Sequence, residues 1–287
     1  MSNDSVIEVQ GVQHVYGGRV QALGGVDLTI HRGEFVAIIG KNGSGKTTLA
    51  KHFNGMLKPT NKGGRVLLRK GSGDLIVTRG IPLHKLSSTV GYVFQNPDRQ
   101  IFHDTCREEL EFGLVNLGVD PQSLGPRVEE TLRLVGLAGR EEVNPVHLSR
   151  GERQRLAIAS TLVMEPDVAV IDEPTTGQDP DEGRVILEFL ARYNRTGRTV
   201  VIISHDMALV AEYASRVIAM RTGHVLADGT PREVFSRPDV LEETNIRPPQ
   251  AAVLATRLGY HGVLTVDEAV AAMSTARNLT SEGVGAP

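Results

Sequence analysis

The sequence has a single cysteine, no tryptophan and no long hydrophobic run. With Cys106 alone, the chain can form neither an intrachain disulfide nor a zinc site built from several cysteines, and such usage is typical of a reducing cytoplasm. The N-terminal residues lack a basic segment followed by an apolar one, so we expect no signal peptide. The longest apolar runs, such as residues 168–171, are far below the roughly 18 residues that indicate a membrane span. These absences predict a soluble, intracellular, globular protein.

The sequence also lacks a strong excess of either charge. Lys and Arg number 31 and Asp and Glu number 34, which gives a formal net charge of -3. This near balance argues against a basic protein that coats nucleic acid. Apolar residues make up 40% and charged residues 23%, which favours a globular chain over a disordered one. The 287 residues suffice for one large α/β domain with an extension, or for two small domains.

Short apolar runs alternate with helical patterns through most of the chain. Residues 34–39, 168–171 and 199–203 are almost wholly apolar, as in strands that are buried on both faces. Strands that alternate with helices indicate a mostly parallel sheet covered by helices on both faces. The predicted helices are residues 47–54, about 106–136, 149–164 and about 181–195.

The first third of the chain favours additional β-structure. Residues 26–30 alternate between apolar and polar side chains, as in a half-buried strand. Residues 65–68 and 75–78 are short β-prone runs separated by the turn sequence Gly-Ser-Gly-Asp, which predicts a hairpin.

The composition changes after about residue 237, and residues 247–249 read Arg-Pro-Pro, a break in any regular structure. Beyond the break we expect two amphipathic helices and a frayed tail, at residues 250–258, 266–273 and 281–287. The predicted division is a large domain and a small helical extension, residues 1–236 and 237–287.

A glycine-rich stretch follows the first buried run. Residues 40–47, GKNGSGKT, match the phosphate-binding pattern G-x-x-x-x-G-K-[ST] between a predicted strand and a predicted helix. The glycines let backbone N–H groups turn toward phosphate oxygens, and the following helix N-terminus adds a favourable dipole. Lys46 is expected to reach the β- and γ-phosphates, and the Thr47 hydroxyl is expected to ligate Mg²⁺. The alternative interpretation is a glycine-rich turn that binds no ligand, but such a turn does not require a buried strand before it and a helix after it. The expected nucleotide-binding residues are Gly40, Lys41, Asn42, Gly43, Ser44, Gly45, Lys46, Thr47 and Thr48.

Polar side chains follow three predicted strands. Asp172 and Glu173 come directly after a buried run, at the strand end where α/β proteins bind ligands. Asp172 is expected to hold Mg²⁺ and Glu173 to orient and deprotonate an attacking water, although Asp-Glu-Pro also suits a simple polar turn. His205 is placed to contact a γ-phosphate, while a single histidine is commonly structural. Gln95, by itself, reads as a loop residue.

Taken in order, these motifs resemble the nucleotide-binding subunit of an ATP-binding cassette (ABC) transporter, and the resemblance covers residues 6 to about 236. The matching segments are the Walker A motif (40–47), the Q-loop (Gln95), the Walker B motif (168–173), the D-loop (176–179) and the switch histidine (His205). The resemblance implies an α/β P-loop NTPase fold with a mostly parallel core sheet, an antiparallel β subdomain, a helical signature subdomain and a small C-terminal helical extension.

The same resemblance implies ATP and Mg²⁺ as ligands and assigns roles to single residues. Lys46, Glu173 and His205 would be catalytic, and Thr47, Gln95 and Asp172 would lie around the metal. Tyr16 is placed like the aromatic residue that stacks on adenine, although a buried strand tyrosine would look the same.

The signature segment departs from the family pattern. The usual Leu-Ser-Gly-Gly-Gln reads Leu-Ser-Arg-Gly-Glu at residues 148–152, so Arg150 replaces a glycine and Glu152 a glutamine. Ser149 and Gly151, which the family places against the γ-phosphate held by a partner subunit, are retained. Ser149 and Glu152 also form a capping-box pattern, which predicts a helix start whether or not a ligand binds there. The effect of Arg150 on hydrolysis stays open.

A narrower resemblance is to the ATPases of energy-coupling factor transporters. Residues 95–102 and 106–113 are similar to the segment that forms a helix beside the groove for the transmembrane subunit, though an ordinary amphipathic helix would also fit. Residues 248–276 resemble that family's small C-terminal domain, which helps to pair two ATPase subunits. The resemblance implies a peripheral ATPase on the cytoplasmic face of a prokaryotic cell membrane. It would drive uptake of a vitamin or transition-metal ion with a second ATPase subunit, a transmembrane coupling protein and a substrate-binding membrane protein, and without nucleic acid.

Other functions compete with this interpretation. The chain could serve another ABC transporter, or it could be a regulatory subunit that binds nucleotide and hydrolyses it weakly. A related ATPase acting on DNA or ribosomes would usually carry long coiled-coil insertions or a second cassette, and the sequence has neither. A small-molecule kinase gives no role to the ordered Gln95, signature and His205 set. The transported substrate and the identity of the second ATPase subunit are not encoded in these motifs.

Overall fold

The chain folds around two β-sheets. The structure, a computed structural model, describes residues 4–282, with side chains described up to residue 274. The strands are β1 (Ser5–Tyr16), β2 (Val20–His31), β3 (Phe35–Ile39), β4 (Arg65–Arg69), β5 (Leu75–Val77), β6 (Val90–Val93), β7 (Val168–Asp172), β8 (Thr199–Ile203), β9 (Arg216–Arg221) and β10 (His224–Gly229). The helices are α1 (Lys46–Phe53), α2 (Leu83–Leu86), α3 (Cys106–Asn116), α4 (Pro121–Leu134), α5 (Arg150–Leu162), α6 (Pro180–Arg195), α7 (Met207–Tyr213), α8 (Pro231–Phe235), α9 (Pro238–Thr244), α10 (Gln250–Arg257) and α11 (Val266–Glu282).

The larger sheet is mostly parallel, as predicted. Its strand order is β10-β9-β3-β8-β7-β6, and only the β9–β10 pair among these described strands is antiparallel. The predicted buried runs form β3, β7 and β8, in which every residue is buried. Because parallel strands end at the same edge of a sheet, the loops after β3, β7 and β8 lie together.

The smaller sheet is antiparallel and has the order β2-β1-β4-β5. The predicted hairpin is confirmed, since β4 and β5 pair with Leu67 opposite Val77. Residues 26–30 lie within β2, which pairs along the length of β1. This sheet covers one face of the larger sheet and thereby supports the loop that follows β3.

The region predicted to be helical, about residues 106–136, is helical and divides into two helices, α3 and α4. Gly118 adopts a left-handed φ of 73°, which ends the first helix. Asp120 then caps the second, with its carboxylate accepting a hydrogen bond of 2.9 Å from the Gln122 N–H, and Pro121 occupies the first helical position. The apolar spacing continues across the break, but these local stop and start signals override it.

Two hydrophobic clusters lie on opposite faces of the larger sheet. Neighbouring residues of a strand point to opposite faces, so Ile39, Ile171 and Ile202 pack with α3 to α6 in the first cluster. Ile38 and Val170 pack with α1 and the smaller sheet in the second cluster. The strands that lead into the glycine-rich loop and the Asp-Glu pair are therefore held from both sides.

The C-terminal helices continue the first cluster. The predicted helices at residues 250–258 and 266–273 are α10 and α11. Val240, Ala252 and Leu264 pack in the first cluster, while Ala255, Val263 and Ala269 form a small cluster of their own. The division between residues 236 and 237 stays a prediction. The first two residues of the predicted frayed tail are helical instead, because α11 extends to Glu282, and residues 283–287 lie outside the described residues. Over residues 4–282, no helix combines the length and apolar character that a membrane span requires.

The packing of α1 makes a prediction about stability. Leu49 lies on α1 with 0% of its surface exposed. We expect Leu49→Ala to lower the free energy of unfolding by about 2–5 kcal/mol, because it removes buried apolar atoms and leaves a cavity. Urea denaturation of the full chain measures the change. Leu83→Ala, at a residue that is 47% exposed, is the matched control, and an equal loss there would contradict the assignment of Leu49 to the core.

Candidate active site

The glycine-rich loop joins β3 to α1 at the carboxyl edge of the larger sheet. Gly40 and Gly45 have left-handed φ angles of 147° and 103°. A Cβ atom at Gly40 would lie 2.3 Å from the Met220 carbonyl oxygen, and one at Gly45 would lie 2.6 Å from the Ala22 carbonyl oxygen. Glycine is required at both positions, because the loop packs directly against the backbone of β9 and β2.

Lys46 begins α1 and folds back over this loop. Its Nζ donates hydrogen bonds of 2.7 Å to the Gly40 carbonyl and 3.2 Å to the Lys41 carbonyl. Burial lowers the pKa of Lys46, against the opposing effect of the nearby Glu173 and Asp172 carboxylates. The ammonium is thus held by neutral carbonyl groups and is poorly hydrated, which favours an incoming anion.

The tip of the loop combines exposed and buried residues. Lys41, Asn42 and Gly43 are exposed, whereas Ser44 is buried. Ser44 Oγ has no hydrogen-bond partner within the described part of the chain. A buried hydroxyl without a partner is costly, so its presence in the loop indicates a position for a polar ligand.

Asp172 lies at the end of β7, opposite the start of α1. Its Oδ1 accepts a hydrogen bond of 3.3 Å from the Thr47 hydroxyl, and its Oδ2 accepts one of 2.9 Å from the Tyr92 hydroxyl. Burial raises the pKa of Asp172, although these two hydrogen bonds act in the opposite direction. Burial also raises the pKa of Tyr92, and the Asp172 carboxylate adds to that effect. The phenol therefore keeps its proton and donates it to the hydrogen bond with Asp172.

Glu173 and His205 form a second polar pair beside the first. Glu173 Oε2 lies 2.6 Å from His205 Nδ1 and accepts a hydrogen bond of 3.3 Å from the Thr176 hydroxyl. The Glu173 backbone has a left-handed φ of 54°, which is uncommon for a residue with a side chain, and its N–H donates to the Ile203 carbonyl at 2.9 Å. The Glu173 side chain is 11% exposed and that of His205 is 66% exposed. The pair therefore lies at the site's opening.

Tyr16 and Thr48 lie on the side of α1 that faces the smaller sheet. The Tyr16 hydroxyl is 3.3 Å from Thr48 Oγ1, and its ring meets the His14 ring edge-on with a centroid distance of 4.5 Å. Tyr16 is 43% exposed, so it is not the buried strand tyrosine of the alternative interpretation. Its ring is accessible at the rim of the loop.

Gln95 is brought to the correct edge of the sheet but not into contact with the other site residues. It is exposed and follows β6, the strand that pairs with β7. Within the described residues, no hydrogen bond joins Gln95 to Thr47 or Asp172. The structure thus assembles Lys46 and Thr47 with Asp172, Glu173 and His205, and leaves Gln95 at the margin.

The signature segment forms the N-terminus of α5. The capping box is confirmed, because Ser149 Oγ accepts a hydrogen bond of 3.2 Å from the Glu152 N–H and Glu152 Oε2 accepts one of 2.8 Å from the Ser149 N–H. A Cβ atom at Gly151 would lie 2.4 Å from Glu182 Oε2, so α6 packs against this glycine within the same chain. Arg150 donates to the Thr176 carbonyl at 3.2 Å.

The structure adds site residues that the sequence interpretation missed. Tyr92, whose hydroxyl donates to Asp172, and Thr176, whose hydroxyl donates to Glu173, are not among the predicted site residues. A tyrosine among the otherwise small and apolar residues of β6 was a signal for a buried hydrogen bond. No local signal connected Thr176 with Glu173, because a side-chain contact across a loop depends on the path of the backbone.

Comparisons with known proteins agree with this architecture. The ABC transporter family model matches residues 23–176, more than half of the chain. The energy-coupling factor transporter ATP-binding protein EcfA of Methanothermobacter thermautotrophicus is 41% identical over 268 residues, which are 92% of this chain and 85% of that protein. An ABC transporter ATP-binding protein of Caldanaerobacter subterraneus is 43% identical over 267 residues, or 93% of this chain, and the chain spans only 46% of that longer relative.

Solved structures with a similar fold are also ATP-binding cassettes of ABC transporters. The cbiO1 protein of Clostridium perfringens, part of the ABC transporter complex cbiONQ, matches with a TM-score of 0.75 at 35% identity, over 88% of this chain and 100% of that one. The ATP-binding cassette MJ0796, solved as a dimer in a post-hydrolysis state with ADP and Pi, matches with a TM-score of 0.69 at 29% identity, over 78% and 98%. The chain is therefore a member of the ABC transporter family, and within it of the energy-coupling factor transporter ATP-binding proteins.

Proposed function

We propose that this chain binds and hydrolyses ATP to drive an energy-coupling factor importer, and that the residues at the carboxyl edge of the larger sheet perform the chemistry. The observation that carries the proposal is that Lys46 and Thr47, at the start of α1, lie close to Asp172 at the end of β7 and to Glu173 directly after it. The transported substrate is proposed to be a vitamin or a transition-metal ion, taken up through separate membrane subunits.

ATP is proposed to bind with its phosphates in the loop of residues 40–47. The unpartnered Ser44 hydroxyl and the poorly hydrated Lys46 ammonium both favour an anion there. The β- and γ-phosphates would replace the carbonyl groups that now accept hydrogen bonds from Lys46. The exposed ring of Tyr16 supplies a surface on which adenine can stack.

The donor atoms beside the loop fit Mg²⁺. The Thr47 hydroxyl and the Asp172 carboxylate are hard oxygen donors that already lie 3.3 Å apart, and the Gln95 amide is the proposed third contributor. Mg²⁺ is commonly held by one or two carboxylates together with substrate phosphates, and residues 4–274 contain no cluster of three or more His, Cys, Asp or Glu side chains for a dedicated metal cage. When bound, Mg²⁺ neutralises charge on the β- and γ-phosphates.

Glu173 is proposed to act as the general base. Its carboxylate takes a proton from the water whose oxygen forms a bond to the γ-phosphorus, while the bond from that phosphorus to the β–γ bridging oxygen breaks. His205, 2.6 Å away, fixes the carboxylate, and its exposed ring is proposed to contact the γ-phosphate. Positioning and charge stabilisation by Lys46 supply the rest of the catalysis.

A second ATPase subunit is proposed to complete the site. The dimeric, ADP- and phosphate-bound MJ0796 cassette supports this arrangement. The N-terminus of α5 is exposed at Ser149 and Arg150, so the Ser149 hydroxyl is accessible to a γ-phosphate held by a partner, whereas Gly151 is buried against Glu182. ATP would then hold two subunits together, and its hydrolysis would release them.

A groove beside the site is the proposed contact with the transmembrane subunit. It has a volume of about 580 Å³ and lies between the helical region and the β6 edge. The Phe102 and Phe112 side chains are 65% and 49% exposed and meet edge-on with a centroid distance of 5.0 Å. An apolar helix of the membrane subunit would cover these rings, which would place the chain peripherally on the cytoplasmic face of the membrane.

The loop that carries Phe102 is held by a buried carboxylate. Glu109 is 4% exposed, and its Oε2 accepts hydrogen bonds from the backbone N–H groups of Phe102 (3.0 Å) and His103 (3.1 Å). The same oxygen lies 3.1 Å from His103 Nδ1. This anchoring keeps the aromatic surface in place before a partner docks, which lowers the entropic cost of binding.

Loss of the proposed base gives the first test of this function. Glu173→Gln should lower ATP turnover by about 10²–10⁴-fold, because the amide cannot take the proton, and should leave ATP binding intact. Steady-state phosphate release and the binding of a fluorescent ATP analogue measure the two properties. Unchanged turnover in this variant would contradict the assignment of Glu173.

The buried carboxylate of Asp172 gives a pH-dependent test. Burial raises its pKa above the usual 3.8, so this group's contribution to stability is present at low pH and is lost as pH rises through the raised pKa. Asp172→Asn cannot ionise, and we expect it to be more stable than the native chain at pH 7.5 and to show a smaller gain at pH 4.5. Urea unfolding without nucleotide or Mg²⁺ measures this, with exposed Asp74→Asn as the control for losing one surface charge. A gain that does not grow with pH would contradict the expectation.

The proposed docking groove is tested by removing its aromatic surface. The double variant Phe102→Ala and Phe112→Ala should retain about ten-fold less of the membrane subunits during purification, because both side chains are exposed hot-spot candidates. ATP binding should be unchanged. Val20→Ala, at a residue that is 63% exposed and outside the groove, is the control, and equal retention in both variants would contradict this surface as the docking site.

A further inference from the structure

Two hydrogen bonds in series connect the signature segment to the proposed catalytic base of the same chain. Arg150 donates a hydrogen bond of 3.2 Å to the Thr176 carbonyl. The Thr176 hydroxyl donates one of 3.3 Å to Glu173 Oε2, the oxygen that lies 2.6 Å from His205 Nδ1. One residue therefore separates the arginine that departs from the family signature from the carboxylate that is proposed to activate water.

The packing around Arg150 shows that its guanidinium has a defined place. A Cβ atom at Gly177 would lie 2.6 Å from Arg150 Cζ, so the guanidinium lies flat against this glycine. Gly177 also has a left-handed φ of 73°. At the next residue, Gly151, the Glu182 carboxylate packs against the helix. The start of α5 therefore contacts residues 176–182 at two points.

Apart from Arg150, the turn that contains Thr176 is held by local backbone hydrogen bonds, among them one of 3.1 Å from the Gln178 N–H to the Thr175 carbonyl. The Thr176 N–H makes a long hydrogen bond of 3.3 Å to the Glu173 carbonyl, and the next regular element begins only where Asp179 caps α6. An arginine fork suits this position, because a planar, permanently charged donor can hold a carbonyl group without losing a proton. A glycine at position 150 would leave that carbonyl without the contact.

We propose that Arg150 is a positioning residue for the hydrolytic reaction, which holds Thr176 so that its hydroxyl orients the Glu173 carboxylate. This inference rests on the proposed role of Glu173. In the proposed dimer, the start of α5 faces the ATP of the partner, while Glu173 faces the ATP of its own chain. The contacts of Arg150 and Thr176 thus lie between the surface proposed to face the partner's ATP and the base proposed to serve the ATP of its own chain.

A double-mutant cycle tests the link. Arg150→Ala removes the first contact, and Thr176→Val removes the hydroxyl of the second while keeping the side-chain shape. Each change should lower kcat about ten-fold with the half-saturating ATP concentration within about two-fold of the native value, because the base is misplaced and nucleotide binding is not. The kcat of the double variant should lie within about two-fold of the kcat of the slower single variant, because both changes break the same chain of contacts.

Controls separate this link from a general loss of structure. Arg150→Lys keeps one donor and should recover part of kcat, whereas a residue needed only for its charge would recover all of it. Arg184→Ala removes an exposed arginine of α6 that pairs with Glu212 on the neighbouring helix α7, and it should leave kcat unchanged. The variants are compared as the full chain purified with its membrane subunits, and their urea midpoints are measured alongside.

The outcomes distinguish this link from the function on which it rests. If Glu173→Gln abolishes turnover and the effects of Arg150→Ala and Thr176→Val multiply, the link is overturned and the proposed function stands. An unchanged or increased kcat in Arg150→Ala overturns the link in the same way. If Glu173→Gln retains turnover, the assignment of the base is overturned and the link falls with it.

Discussion

The protein holds a lysine and an aspartate away from water at one edge of its larger sheet, and most of the architecture supports that arrangement. Burial lowers the pKa of Lys46 and raises the pKa of Asp172, so both charged forms are less stable here than in water. Their direct partners are neutral: loop carbonyls for the ammonium, and the hydroxyls of Thr47 and Tyr92 for the carboxylate. Groups held in this way are stabilised by a ligand that brings opposite charges to each of them.

Packing in the two hydrophobic clusters offsets the free-energy cost of burying Lys46 and Asp172. Side chains of β3, β7 and β8 alternate between the two clusters, so the strands that carry the site are fixed from both faces. The loops that leave those strands can then hold unusual backbone conformations, such as the left-handed φ angles of Gly40 and Glu173. Strain of this kind persists only where the surrounding packing allows no alternative.

The fold class was predictable from the sequence because strands buried on both faces leave uninterrupted apolar runs, as in β3, β7 and β8. The elements of the site were predictable for the same reason, since each polar motif follows one of those runs. Contacts between distant segments were not predictable: Tyr92 is 80 residues from Asp172, and Arg150 is 26 residues from Thr176. The β9–β10 hairpin was missed as well: residues 217–220 of β9 form an apolar run as long as residues 168–171, but β10 mixes apolar with polar and charged residues.

The altered signature keeps the features that a phosphate would need. A serine hydroxyl has one hydrogen to donate and two lone pairs, so Ser149 Oγ can accept the capping hydrogen bond from Glu152 N–H and still donate to a phosphate oxygen. Glu152 adds a negative charge at the N-terminus of α5, which alone would repel an incoming phosphate, and Arg150 adds a positive charge two residues before it. The two departures from the family pattern thus cancel in net charge, while the Arg150 guanidinium itself is held at the Thr176 carbonyl and the Glu182 carboxylate lies against Gly151.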